Sequence, residues 1–170
     1  NGEAAGDKSG SSVAISGDGT IVAIGGHNND GSGSDAGHVR VYKWSNNSWT
    51  QMGSDIDGEA ANDWSGHGPP GGVALSSDGM ILAVGAHYND GNGTDSGHVR
   101  MYEWSGDSWN KIGNNIDGEA VQDQSGWSVA LSSNGKTLAI GAIYNDGVNG
   151  QDTGHVRVYE IEETLNITNS

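Results

Sequence analysis

The sequence predicts an all-β fold: three consecutive four-stranded antiparallel blades of a β-propeller, either a partial propeller or part of a larger or assembled ring. Three observations carry this. One phrase is written three times along 170 residues: "GEAAGDKSGSSVAIS" from Gly2 returns as "GEAANDWSGHGPPGGVALS" from Gly58 and "GEAVQDQSGWSVALS" from Gly118. Each copy holds the same short apolar runs and no helical periodicity. Tight turns containing Gly, Asp or Asn separate those runs. Self-similarity at this period, with four short strands per copy, matches a propeller blade. A β-solenoid is the rival, but its coils are shorter and lack two tight hairpins each. The blades are 1–57, 58–117 and 118–170, the last with a divergent C-terminal strand.

The elements follow in order. "SVAIS" (12–16) leads through the turn "GDG" into "TIVAIGG" (20–26), and the later copies turn on "SDG" and "SNG", a strong hairpin signal between apolar runs. "ILAVGA" and "TLAIGA" are apolar on both faces, as a strand sandwiched between neighbouring blades must be. A loop beginning Asn-Asp-Gly comes next, then "HVRVYKW" (38–44), where Val39 and Val41 alternate with His38, Arg40 and Tyr42. The turn "SNN" or "SGD" leads into "SWTQMG" (48–53). Length differences between copies fall in the Gly-rich stretches, as loops allow.

Composition narrows the partners. With 22 acidic against 7 basic residues and a formal charge of −15, neither nucleic acid nor an anionic membrane is expected, and a cation is the more natural companion. There is no cysteine, so no disulfide or thiolate metal site, and no apolar run approaches a membrane span. The first residue is Asn1, which points to a processed chain or a segment of a longer one.

The pattern "SGxSVALSSDGxxLAVGA…GHVRVY" resembles the FG-GAP repeat, the blade unit of integrin-α-type propellers. The resemblance spans essentially the whole chain. Ser-Gly stands where the family has Phe-Gly, at Ser9-Gly10, Ser65-Gly66 and Ser125-Gly126. It implies an extracellular adhesion or scaffold module, a protein-interaction role and no catalysis. It also implies calcium, although the family's calcium loop falls where this chain has only tight turns, too short to wrap a cation. Three units do not close a ring, so further blades are expected in the same chain or in neighbouring subunits. The rivals are a carbohydrate-binding, lectin-like propeller and an accessory domain of a secreted enzyme.

Several residues carry chemistry. All three arginines, Arg40, Arg100 and Arg157, stand at one place in the repeat. There a guanidinium on a largely buried face must be paired, and the loop aspartates Asp35, Asp95 and Asp152 are the expected partners. The loops themselves are candidate Ca²⁺ sites through Asn29, Asp30 and Asp35, Asn89, Asp90 and Asp95, and Asn145, Asp146 and Asp152, because hard cations take such oxygens. The same residues are also what turns are made of. A second acidic cluster comprises Asp55, Asp57, Glu59 and Asp63. Four tryptophans pair across the outer hairpins, whereas Trp64 and Trp127 sit beside linkers as candidate glycan contacts. Asn46, Asn92 and Asn166 begin glycosylation tripeptides, in keeping with a secreted glycoprotein. No nucleophile motif, HExxH or P-loop is present. Glu59 and Glu119 recur with the repeat, which suits an architectural role.

Overall fold

A computed structural model describes residues 1–68, 71–161 and the backbone of 167–169. Among these, 13 strands form three antiparallel sheets in chain order. The first blade holds β1 (Ser12–Ile15), β2 (Ile21–Gly26), β3 (His38–Ser45), β4 (Ser48–Gln51) and the short β5 (Ile56–Asp57), which returns to pair with β3. The second holds β6 (Val73–Leu75), β7 (Ile81–Ala86), β8 (His98–Trp104) and β9 (Trp109–Asp117). The third holds β10 (Ser125–Leu131), β11 (Thr137–Ala142), β12 (His155–Ile161) and β13 (Ile167–Asn169). Each sheet runs in sequence order, as expected of a blade. Among the described residues no helix is long and apolar enough to cross a membrane.

The sequence reading ends the outer strand at Gly53, but pairing resumes at Ile56. In the second blade the two pieces merge into β9, with an irregularity between Val99 and Met101 in its ladder to β8. The extra residues of such a bulge break period-two alternation, so the continuation is invisible as a pattern. The divergent end of the third copy still supplies a fourth strand, with Tyr159 opposite Asn169.

The core lies between blades rather than within any one of them. Ile21, Ala23, Val39, Val41, Met52 and Ile56 of blade one meet Val73, Leu82, Val84 and Tyr102 of blade two. On its other side, blade two offers Ala83, Val99, Met101, Ile112 and Ile116 to Val129, Leu138, Ile140 and Tyr159 of blade three. Every blade therefore has a leading face toward the next blade and a trailing face toward the previous one. The burial of the second strand records this. β7 is buried on both faces from Leu82 to Ala86, whereas β2 and β11 alternate between buried and half-buried positions. Full burial of a Leu, Ile or Val contributes roughly 1.5–3 kcal/mol, so these interfaces are a main source of stability.

Candidate functional site

Two repeated segments converge at every blade junction: the loop that opens Asn-Asp-Gly and the linker that opens Gly-Glu-Ala. The loop is a self-bonded corner. Asn29 Oδ1 and Asn89 Oδ1 accept from the amides of Gly31 and Gly91 at 2.9 and 2.8 Å. Asp30, Asp90 and Asp146 each accept from the amide of Asp35, Asp95 and Asp152 at 2.7, 2.8 and 2.8 Å. Those three aspartates hold φ of 50–53°, a left-handed conformation that Asp tolerates when its amide is captured.

The linker fastens the corner from below. Asp63 and Asp123, both 2% exposed, accept the side-chain amides of Asn89 and Asn145 at 3.0 and 2.8 Å. Their second partners are the backbone amides of Ala60 and Ala120, each at 2.9 Å. One side-chain oxygen each of Asn29, Asp30, Asp35, Asn89, Asp90 and Asp146, six of the nine residues expected to bind calcium, is thus engaged within the turn. Burial, with the Asp90 carboxylate second, pushes the Asp95 carboxyl above its ordinary range.

The arginines tie each blade to the linker before it. Nη2 of Arg40, Arg100 and Arg157 donates to the carbonyls of Asn1, Asp57 and Asp117, each at 2.7 Å. Arg100 and Arg157 also reach Ser65 Oγ and Ser125 Oγ at 3.3 and 3.0 Å. The facing carboxylates are Glu3, 3.4 Å from Arg40, and Glu59, 3.9 Å from Arg100. Asp35 instead receives the side-chain amide of Asn28 at 2.7 Å. The reading that gave the arginines to the loop aspartates is therefore corrected: β3 and β8 turn Arg40 and Arg100 onto the trailing face, where the linker lies. Tyr42, Tyr102 and Tyr159 stack beneath the guanidinium groups at 5.6–5.9 Å.

The acidic cluster of Asp55, Asp57, Glu59 and Asp63 separates into different tasks. Asp55 Oδ2 stands 3.2 Å from His38 Nδ1, and the Asp57 carbonyl holds Arg100. Glu59 Oε2 lies 3.7 Å from His98 Nδ1, and Asp63 holds Asn89.

Trp64 and Trp127 sit in a group of rings that the sequence did not announce. His27, His67 and His87 form a row with centroids 4.2 and 5.0 Å apart. Trp64 packs on His27 at 5.2 Å and Tyr88 at 4.9 Å, and Trp127 packs on His87 at 4.8 Å. His87 is fully buried, and neither ring nitrogen has a hydrogen-bond partner. Burial drives it down to about 3. Burial and then the charge of His67 take His27 to about 4. The equivalent residue of blade three is Ile143, so these imidazoles pack as neutral, nearly apolar rings. The three histidines come from separate blade segments, and only the fold unites them.

The outer tryptophans pair as expected: Trp44 lies opposite Trp49 and Trp104 opposite Trp109, each pair at 5.4 Å. Asn46 is exposed in the hairpin turn at φ 51°. Asn92 spends its side-chain amide on the Gly118 carbonyl at 2.8 Å, so the tripeptide there has a structural role. Asn166 lies outside the described residues.

Sheets in sequence order, packed through equivalent faces and pinned by repeated linkers, define a β-propeller-type repeat protein. Residues 116–159 match the family model of the FG-GAP repeat, as the sequence pattern led one to expect. No curated protein is significantly similar in sequence. Among solved structures, the periplasmic gluconolactonase of Pseudomonas aeruginosa is similar at TM-score 0.56 and 18% identity, covering 89% of this chain and 39% of that one. A hypothetical selenium-binding protein from Sulfolobus tokodaii is similar at TM-score 0.53 and 10% identity, covering 89% and 37%. At such identities the likeness is one of fold. The chain spans less than two fifths of the length of either structure.

Proposed function

We propose that this chain is a run of blades from an extracellular adhesion or scaffold propeller, a protein-interaction module rather than an enzyme, completed by further blades of the same design. One observation carries the reading. Gly37 and Gly97 bridge to Ser65 and Ser125 of the following blade, and their carbonyls accept from the amides of Gly58 and Gly118 at 2.8 and 2.7 Å. At the equivalent Gly154 the same place is an open cleft of about 520 Å³, lined by Glu119, Asn145 to Asn149 and Thr153 to His155. Its size and mixed polar and apolar lining suit one more Gly-Glu-Ala linker.

The sheet faces agree. Val156 on the leading face of blade three is 65% exposed, where its equivalent Val99 is fully buried under blade three. Val13 and Ile15 on the trailing face of blade one are 65% and 62% exposed, where their equivalents Val73 and Leu75 are buried and half-buried against blade one. One end offers the face that the other end needs. Covering such apolar surface is favourable in proportion to its area. Within each blade the buried polar groups that recur are spent on joining blades, which suits a scaffold.

Sedimentation velocity over a range of concentrations tests the reading. The chain is expected to associate, and Val156→Asp to keep it monomeric with its circular dichroism unchanged. A wild-type chain that stays monomeric at high concentration, or a variant that associates equally well, would remove the support.

A further inference from the structure

We propose that blade one holds a divalent transition-metal site of the Zn²⁺ type, built from Glu3, His38 and Asp55, at a position where blade two carries its own cation instead. Among the described residues, this is where a histidine and two carboxylates bring one ligand atom each within 4.8 Å of one another. His38 Nδ1 is 3.2 Å from Asp55 Oδ2 and 3.8 Å from Glu3 Oε2. Ligands about 2.0–2.2 Å from a tetrahedral ion stand roughly 3.3–3.6 Å apart, so small adjustments would close the site.

His38 supplies an observation independent of the acidic residues. It is 1% exposed, and neither ring nitrogen makes a hydrogen bond. Its two carboxylate neighbours are near enough to interact but not aligned to accept from the ring. A buried imidazole nitrogen left in this way costs free energy unless something bonds to it. The remaining carboxylate oxygens are already steadied: Gln51 donates to Asp55 Oδ1 at 2.6 Å, and Arg40 lies 3.4 Å from Glu3 Oε1. Glu3 is half exposed, which leaves an approach from solvent.

Blade two is the internal control. Sequence equivalence puts Asn115 where blade one has Asp55, and Lys111 where it has Gln51. Asn115 donates to Glu59 Oε2 at 2.8 Å and approaches His98 Nδ1 at 3.3 Å. The Lys111 ammonium contacts Asn115 and lies 3.9 Å from Glu59 Oε1. One carboxylate has become an amide, and a fixed ammonium stands beside the other. In blade one neither change has occurred, so the carboxylate pair faces the imidazole with no lysine between. One nitrogen and two carboxylates suit zinc or a similar first-row ion, whereas calcium and magnesium prefer oxygen alone.

The test uses the untagged chain and zinc chloride in isothermal titration, with Co²⁺ absorption reporting coordination. The variant Gln51→Lys/Asp55→Asn transplants residues that blade two already accommodates, so it is expected to fold. Wild type is expected to bind one equivalent tightly, with a Co²⁺ spectrum of low coordination number. The double variant should bind about a hundredfold more weakly or not at all, because loss of even an outer-shell partner costs 10–100-fold. His38→Gln should behave alike, with His67→Gln as a control that retains binding. No zinc bound by wild type, or equal affinity in the double variant, would overturn the proposal.

Discussion

Arg100 shows how far a residue's environment is legible in sequence. Its spacing marks it as buried and paired, and it is 6% exposed with a hydrogen-bonded guanidinium. Its partner was not legible, because the linker carbonyl of Asp57 carries no side-chain signature. Arg100→Ala should cost about 2–3 kcal/mol in urea unfolding, near the upper range for a hydrogen bond to a charged group, with Glu59 too exposed to add much. Arg100→Lys should not restore it, since one ammonium cannot reproduce the fork. An unchanged midpoint for the alanine variant would contradict the role. The histidine row gives a second residue-scale consequence. His27 and His87 have values near 4 and 3 when folded, against 6.5 when free. The unfolded chain therefore takes up their protons first as pH falls. This contribution to stability is present above pH 6.5 and is lost as pH falls through the folded values near 4 and 3. His87→Phe should flatten that decline in chemical denaturation, and an undiminished slope would show that the ring does not titrate on unfolding.

Among the elements, the hairpins were the easiest to read. "SDG" between apolar runs places Asp78 to accept from Ser76 and the Met80 amide at 2.6 and 3.0 Å, so turn chemistry and hydrophobic period agree. The strand after the bulge and the row of rings were not readable, since one breaks its period and the other is assembled from distant segments. The Asn-Asp-Gly corner lies between these cases. Its composition suits a cation and a turn equally, and geometry gives six of the nine named residues a hydrogen bond within the turn. Melting curves in millimolar calcium and in chelator, at equal ionic strength, are accordingly expected to coincide. A higher melting temperature in calcium would show that the corner binds the ion, because a ligand selective for the folded state stabilises it.

At the scale of the molecule, stability comes from interfaces between neighbours, as in other repeat proteins. The middle blade is covered on both sides, and each end blade leaves one face open. Leading and trailing faces, with their linkers, are therefore expected to be interchangeable along the chain. Duplicating residues 58–117 in tandem tests it directly, because the added junction places Gly58 after Asp117 just as the chain already places it after Asp57. Urea unfolding of this four-blade chain should show one cooperative transition, steeper and at higher urea than that of the three-blade chain. A separate early transition for the inserted copy, with the original midpoint unchanged, would mean that the faces do not match.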